Sequence, residues 1–212
     1  MPCRWRPTRT LAQASRLGSL GLLGVLVIVA VTLQPAGPLL AVGTLDQSQT
    51  TQGAGSLLVG PDAAMAQTFT AGLTGDLDQV ALALTTAGAG TVTIEIRDAV
   101  GGAPGSTVLA SATVSMASLP ARGPVPSPLT SIPLGPPAPV VAGTQYAIVV
   151  APSGIVVAPS GIVVAPSGTS DPYPPGEAFF NFSGGGGFGP LPDIDFVFQT
   201  FVTQAVLSVG AG

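Results

Sequence analysis

From Leu45 to Val202 the apolar residues recur at every second position in short runs. No stretch carries them at the three-and-four spacing of an amphipathic helix. Val92, Ile94 and Ile96 alternate with Thr93, Glu95 and Arg97, and Tyr146, Ile148 and Val150 repeat the pattern. Val80, Leu82 and Leu84 follow it, as do Val108, Ala110, Ala112 and Val114. Leu45–Gln49, Met65–Thr70, Ile132 with Leu134, Phe180 with Phe182, and Ile194 through Val202 complete the series. Glycine and proline, 29 and 22 residues, gather between these runs, as in GAG (88–90), GGAPG (101–105) and PARGPVPSP (120–128). Period-two runs closed by turn residues are half-buried strands. Eight or nine such strands joined by long loops predict an all-β fold, an antiparallel two-sheet β-sandwich of jelly-roll type. Charged residues are only 8% of the chain and apolar residues 46%, the reverse of a disordered composition.

The first 43 residues read differently. Arg4, Arg6, Arg9 and Arg16 precede an uncharged apolar run over 17–33, which Gln34-Pro35 breaks. Ala41-Val42-Gly43 then places small residues before Thr44. This order predicts a signal peptide over 1–43, cleaved near Thr44. The alternative is an uncleaved single-pass anchor, the only route by which the protein would touch a membrane. The β-domain is expected over 44–205, with a flexible tail over 206–212 that carries no anchor motif. The destination is outside the cell or on its surface.

Charge and residue types exclude several functions. Beyond position 43 two arginines, Arg97 and Arg122, stand against ten acids, a net of −8. Nucleic-acid binding needs clustered cations to displace counterions, so it is excluded. Histidine is absent and the single cysteine is Cys3. A thiol nucleophile, a Ser-His-Asp triad and a zinc site of the usual kind are therefore excluded from the domain. Carboxylate chemistry remains, and so does an oxygen-ligand site for calcium.

One repeat interrupts the pattern. Ile148–Gly154, Ile155–Gly161 and Ile162–Gly168 are three identical copies of IVVAPSG. An odd period flips a continuous strand's face at each copy, and Pro152, Pro159 and Pro166 each remove a ladder donor. The first copy is expected to finish the Tyr146 strand, and the other two to project as a hairpin or loop.

The segments LDQSQT (45–50), AQTFTAGLTGDLDQVALAL (66–84), TVTIEIRDAVGGAPGSTVLASATV (91–114), AGTQYAIVV (142–150), SDPYPPGEAFF (170–180) and DIDFVFQTFV (193–202) together resemble the bacterial exported domain called choice-of-anchor R. The resemblance spans most of residues 45–203. It implies a cell-surface β-sandwich and supplies no catalytic residue. Its members tend to carry a tryptophan where GGGGFGP offers Phe188, so the resemblance implies a weaker aromatic contact here.

Two groups of residues are candidate sites. Tyr173, Phe179, Phe180, Phe182 and Phe188 place half of the domain's ten aromatics in sixteen residues. Tyr173, Phe179, Phe182 and Phe188 are the candidate ligand-binding residues, since aromatic rings stack on sugars or anchor protein partners. Their bland alternative is a cap on the core. Asp76 with Asp78, and Asp193 with Asp195, would each share a strand face. Asp193 and Asp195 are the candidate calcium ligands, and either pair would serve a glycosidase. Solvated edge acids are the plainer reading. Taken together, the chain reads as an exported non-catalytic module that binds a glycan or a surface protein, or that is structural. The alternative is a secreted carboxylate-dependent glycoside hydrolase or an accessory domain of one.

Overall fold

The clearest predicted strand is also the centre of the structure. Val92, Ile94 and Ile96 are fully buried along β6 (Thr91–Val100), while Thr93, Glu95 and Arg97 between them stay partly open. The computed structural model describes residues 43–53, 57–60, 62–86, 89–123, 126–153, 162–164, 171–182 and 187–204. These lie in one compact unit, Leu40–Gly212. Residues 1–42, 154–161 and 205–212 fall outside them, and with them the leader up to Val42, the second repeat copy and the tail. Among the described residues no helix is long and apolar enough to cross a membrane.

The described residues form thirteen strands and one 3₁₀ turn at Met116–Ser118. The others are β1 (Thr44–Gln49), β2 (Leu57–Val59), β3 (Ala64–Thr70), β4 (Gly75–Leu82), β5 (Leu84–Thr86), β7 (Ala103–Ser115), β8 (Thr130–Val140), β9 (Gln145–Ser153), β10 (Ile162–Val164), β11 (Ala178–Asn181), β12 (Gly189–Leu191) and β13 (Phe198–Thr203). One sheet runs β1-β13-β4-β8 and the other β12-β11-β3-β9-β6-β7. All pairings within them are antiparallel. A small third sheet, β2-β10-β5, continues from the end of β4.

The two main sheets bury one shared core. Leu77, Val80, Phe198 and Val202 from the first meet Met65, Phe69, Ile94 and Ile148 from the second. Phe69 lies 6.0 Å from Tyr146 and 6.3 Å from Phe198, ring centroid to centroid. Each such side chain taken out of water contributes about 1.5–3 kcal/mol, which is why the period-two pattern was decisive.

Several elements depart from the sequence reading for identifiable reasons. Ile132 and Leu134 look like a fragment because Pro133, Pro136, Pro137 and Pro139 crowd the segment, yet β8 is eleven residues long. It lies at a sheet edge, where missing N–H groups cost nothing and discourage further pairing. Ile132, Leu134, Ala138 and Val140 point inward from it. Ile194 and Phe196 fall outside β13, because positions 192–197 form a turn and an irregular crossing before the strand begins at Phe198. The first three residues of the third IVVAPSG copy do not project: Ile162–Val164 pairs with both β2 and β5. The first copy completes β9 as expected.

Candidate functional site

Four of the clustered aromatics belong to one hairpin, and strand alternation sorts them onto two faces. In β11–β12, Phe179 pairs with Pro190 and Phe180 with Gly189. Phe180 faces the main core with Ala178. Phe179 faces the other way, where it joins Ala66, Ala147 and Val149 in a small cluster on the outer face of the six-stranded sheet. The register explains this cluster, since Phe179, Ala66, Val149 and Glu95 are successive partners across four strands. Ala64 from β3, Ala103 from the β6–β7 hairpin and Phe188 from the β11–β12 hairpin pack against it.

Phe182 is different. It lies one residue past the end of β11, beyond the last residue that the sheet covers, and 74% of it is exposed. Its ring centroid sits 4.0 Å from that of Phe180, with the planes inclined by 60°. Continuing the β11–β12 register sets Phe182 opposite Gly187, and no atom lies within 4 Å of where a Gly187 side chain would begin.

The base of this hairpin is fixed by a buried polar network. Tyr173 and Glu177 precede β11, and Asp195 follows β12. The Gln67 side-chain amide donates to Asp195 Oδ1 at 2.8 Å and to the Thr68 carbonyl at 3.2 Å. Its Oε1 accepts the Phe196 N–H at 2.7 Å. Asp195 Oδ2 accepts the Tyr173 N–H at 3.0 Å. The Tyr173 hydroxyl donates to Gln47 Oε1 at 2.8 Å, and the ring stands edge-on to Phe198 at 5.1 Å. Thr68 Oγ1 accepts the Glu177 N–H at 2.9 Å, and the Thr68 N–H donates to the Glu177 carbonyl at 2.9 Å. Gly176 passes so close that a Cβ there would lie 1.9 Å from the Thr68 carbonyl oxygen.

Burial sets the acidity of this network. It pushes the Asp195 carboxyl up, against the Gln67 and Tyr173 hydrogen bonds that favour the ionised form, and Asp171 adds to the rise. Burial also raises Glu177, helped by the charges of Asp195, Asp171 and Asp193, and pushes the Tyr173 phenol up to about 12.

The structure therefore separates the candidate residues. Tyr173 and Phe179 are buried at 6% each, Phe188 is half-buried, and Phe182 is open. Asp193 is exposed in a turn with φ of 61°, whereas Asp195 is 1% exposed and gives both oxygens to protein donors. The two do not share a strand face. Among the described residues no group of three or more His, Cys, Asp or Glu is placed to hold a metal ion. Asp76 is exposed, and Asp78 accepts a hydrogen bond from the Thr203 hydroxyl. Glu95 and Arg97 pair with each other along β6, at 2.5 Å. An internal cavity lined by Gln67, Leu82, Ile148 and Phe196 has a volume of about 10 Å³, room for one water and no ligand. Nothing in the sequence signals the Gln67–Asp195 contact: a glutamine inside a strand gives no local sign of a partner 128 positions away.

No protein-family model matches the chain, and no curated protein matches it. Solved structures do resemble it in part. The clostridial cysteine protease Cwp84 after propeptide cleavage aligns with 76% of this chain at 17% identity and a TM-score of 0.51. A structure of the cysteine protease and lectin-like domains of Cwp84, a surface layer associated protein of Clostridium difficile, aligns with 71% at 17% identity and a TM-score of 0.47. The chain spans 40% and 33% of those two structures. At that identity the first likeness shows a common fold and nothing further.

Proposed function

We propose that this chain is an exported, non-catalytic β-sandwich module of jelly-roll type that binds an extracellular ligand through its β11–β12 hairpin. The observation that carries this reading is Phe182, 74% exposed beside a hairpin base that buried hydrogen bonds hold in place. An aromatic ring presented on an ordered hairpin gives a binding surface a pre-ordered anchor. Export rests on the four leading arginines, the apolar run over 17–33 and the small residues at 41–43. The burial of Asp195 and the outward turn of Asp193 remove that pair from any shared cleft, which counts against carboxylate hydrolysis.

The test has two parts. Fractionation of the native source, with N-terminal sequencing, is expected to find the domain outside the cytoplasm. The purified domain is then expected to retain a ligand from extracellular polysaccharide or surface-protein fractions and to turn none over. Robust hydrolysis of any polymer, or a cytoplasmic location, overturns the proposal.

A further inference from the structure

Asp78 is the extra residue of a β-bulge on β4. Leu77 and Gln79 pair with Val202 and Phe201, which are adjacent on β13, and Asp78 between them has no place in the ladder. A bulge re-aims the side chain that it carries. Here Oδ2 accepts a hydrogen bond from the Thr203 hydroxyl, while Oδ1 is buried and meets no hydrogen-bond donor. A carboxylate oxygen taken out of water in this way carries its full desolvation cost until a donor arrives.

The start of β1 faces that oxygen. A Cβ on Gly43 would lie 2.6 Å from Asp78 Oδ1 and 3.0 Å from backbone atoms of Phe201 and Val202. The Thr44 nitrogen is two bonds from the Gly43 α-carbon. Thr44 is also where the sequence ends the leader, after the small residues Ala41-Val42-Gly43. We infer that Asp78 is the receptor for the α-ammonium group that leader removal creates on Thr44; this rests on the export reading above. A leader peptidase adds one water across the Gly43–Thr44 amide. The products are a carboxylate on Gly43, which departs with the leader, and an ammonium on Thr44, which stays. The uncut chain offers one neutral N–H at that position. The cut chain offers a charged group with three donors, and Gly43 vacates the space beside Oδ1.

Charge favours the pairing. β8 and β13, on either side of β4, hold no charged residue, while β1 holds Asp46 and β4 holds Asp76 besides Asp78. These four strands therefore carry acids and no base, and the ammonium supplies the missing sign. Arg97 is engaged with Glu95 on the other sheet, and the Arg122 N–H donates to Thr86 beyond the end of β4. The consequence is mechanical. β1 is an edge strand paired with β13, and its Gln47 accepts the Tyr173 hydroxyl. An ion pair at its first residue fastens this strand only after the leader has gone.

The chain contains no lysine, so once the leader is removed the α-amine is the one primary amine and an acylating reagent reads it alone. The full-length chain is expressed with its leader and the exported protein is purified. N-terminal sequencing is expected to begin at Thr44. The acylation rate of the folded protein against pH is expected to place the amine about one pKa unit above its ordinary value of about 8. Near neutral pH it then reacts about tenfold more slowly than in the denatured chain. Asp78→Asn is expected to restore the ordinary rate, and Asp76→Asn, the exposed acid two positions away, is expected to leave it slow. Acylation is expected to lower the thermal midpoint of the unmutated protein and to leave that of Asp78→Asn unchanged. The pH profile of the unmutated protein needs no variant and decides the matter where Asp78→Asn does not fold. An ordinary amine on an exported protein that begins at Thr44 overturns the inference alone. So do a slow amine that Asp78→Asn leaves slow, equal effects of Asp76→Asn and Asp78→Asn, and export with the leader uncut or cut at another bond. A protein that keeps its leader inside the cytoplasm overturns the export reading as well.

Discussion

Gln67 and Asp195 are 128 positions apart in sequence, and the amide of one donates to the carboxylate of the other at 2.8 Å inside the protein. Gln67 lies on β3, at the middle of the six-stranded sheet's network, and pairs there with Ile148. Asp195 sits in the irregular segment that returns from β12 to β13. Their contact ties the two arms of the aromatic hairpin to the sheet, because the other carboxylate oxygen accepts the Tyr173 N–H from the arm before β11.

Asp195→Asn tests this directly. Both oxygens accept hydrogen bonds, and an asparagine presents an NH2 to one of two donors in a site where water does not reach. The expected loss is about 1–3 kcal/mol, the usual cost of a buried polar group left without a partner. Thermal or urea unfolding of the variant measures it. An unchanged midpoint would show that the network does not hold the hairpin.

The same carboxyl makes stability depend on pH in an uncommon direction. Asp195 and Glu177 are both raised above their ordinary values of 3.8 and 4.5. For groups raised on folding, the folded state binds protons more tightly than the unfolded chain. Their contribution is full below those ordinary values and is lost as pH rises through the raised ones. Mild acidification from neutral pH toward that window is therefore expected to raise the thermal midpoint. Scanning calorimetry across this range in wild type and Asp195→Asn separates the Asp195 share. A midpoint that falls steadily from neutral pH downward contradicts it.

Gly176 supplies a prediction about backbone contact. Its absent side chain lets positions 171–177 lie against β3, where Thr68 makes three hydrogen bonds to Glu177. In Gly176→Ala the new carbon would sit 1.9 Å from a carbonyl oxygen, and backbone cannot rotate away as a side chain can. A shift of the segment at a cost of about 1–3 kcal/mol is expected, in line with other overpacked sites. Faster amide exchange over 173–177 would locate it. Protection equal to wild type would mean that the segment gives way without loss.

Much of this architecture could be read from the chain because it rests on a local rule. Where one face of a strand is buried, alternation must appear in the sequence, as it does in Val92, Ile94 and Ile96. The parts that stayed hidden obey no local rule. The prolines of β8 look like loop residues until the strand is seen at a sheet edge. β2, β5, β10 and β12 have three residues each, too few to show a period. The aromatic cluster was visible as composition, but only the third dimension separates Phe182 from Tyr173 and Phe179. Asp193 and Asp195 look alike in sequence. They part because a positive φ at Asp193 turns one outward while hydrogen bonds draw the other in.

The IVVAPSG repeat gives a prediction with a built-in asymmetry. Ser153 ends β9 beside Thr91, and Ile162 opens β10 beside Thr86 and Val59. Eight residues, 154–161, connect them. The neighbouring chain makes the corresponding passage, from Thr86 to Thr91, in five steps. Deleting 155–161 leaves Gly154 alone as the connection, two peptide steps that reach at most about 7 Å. The strand between β2 and β5 would then be pulled from its place or the end of β9 unpicked. Inserting a fourth copy after Gly161 has no such consequence, because doubling a loop adds only about 0.6 kcal/mol of closure entropy. The deletion is thus expected to lower the thermal midpoint and to expose the amides of 57–59 and 84–86 to exchange. The insertion is expected to leave both nearly unchanged. Equal responses to the two changes would show that β10 does not depend on the length of the repeat.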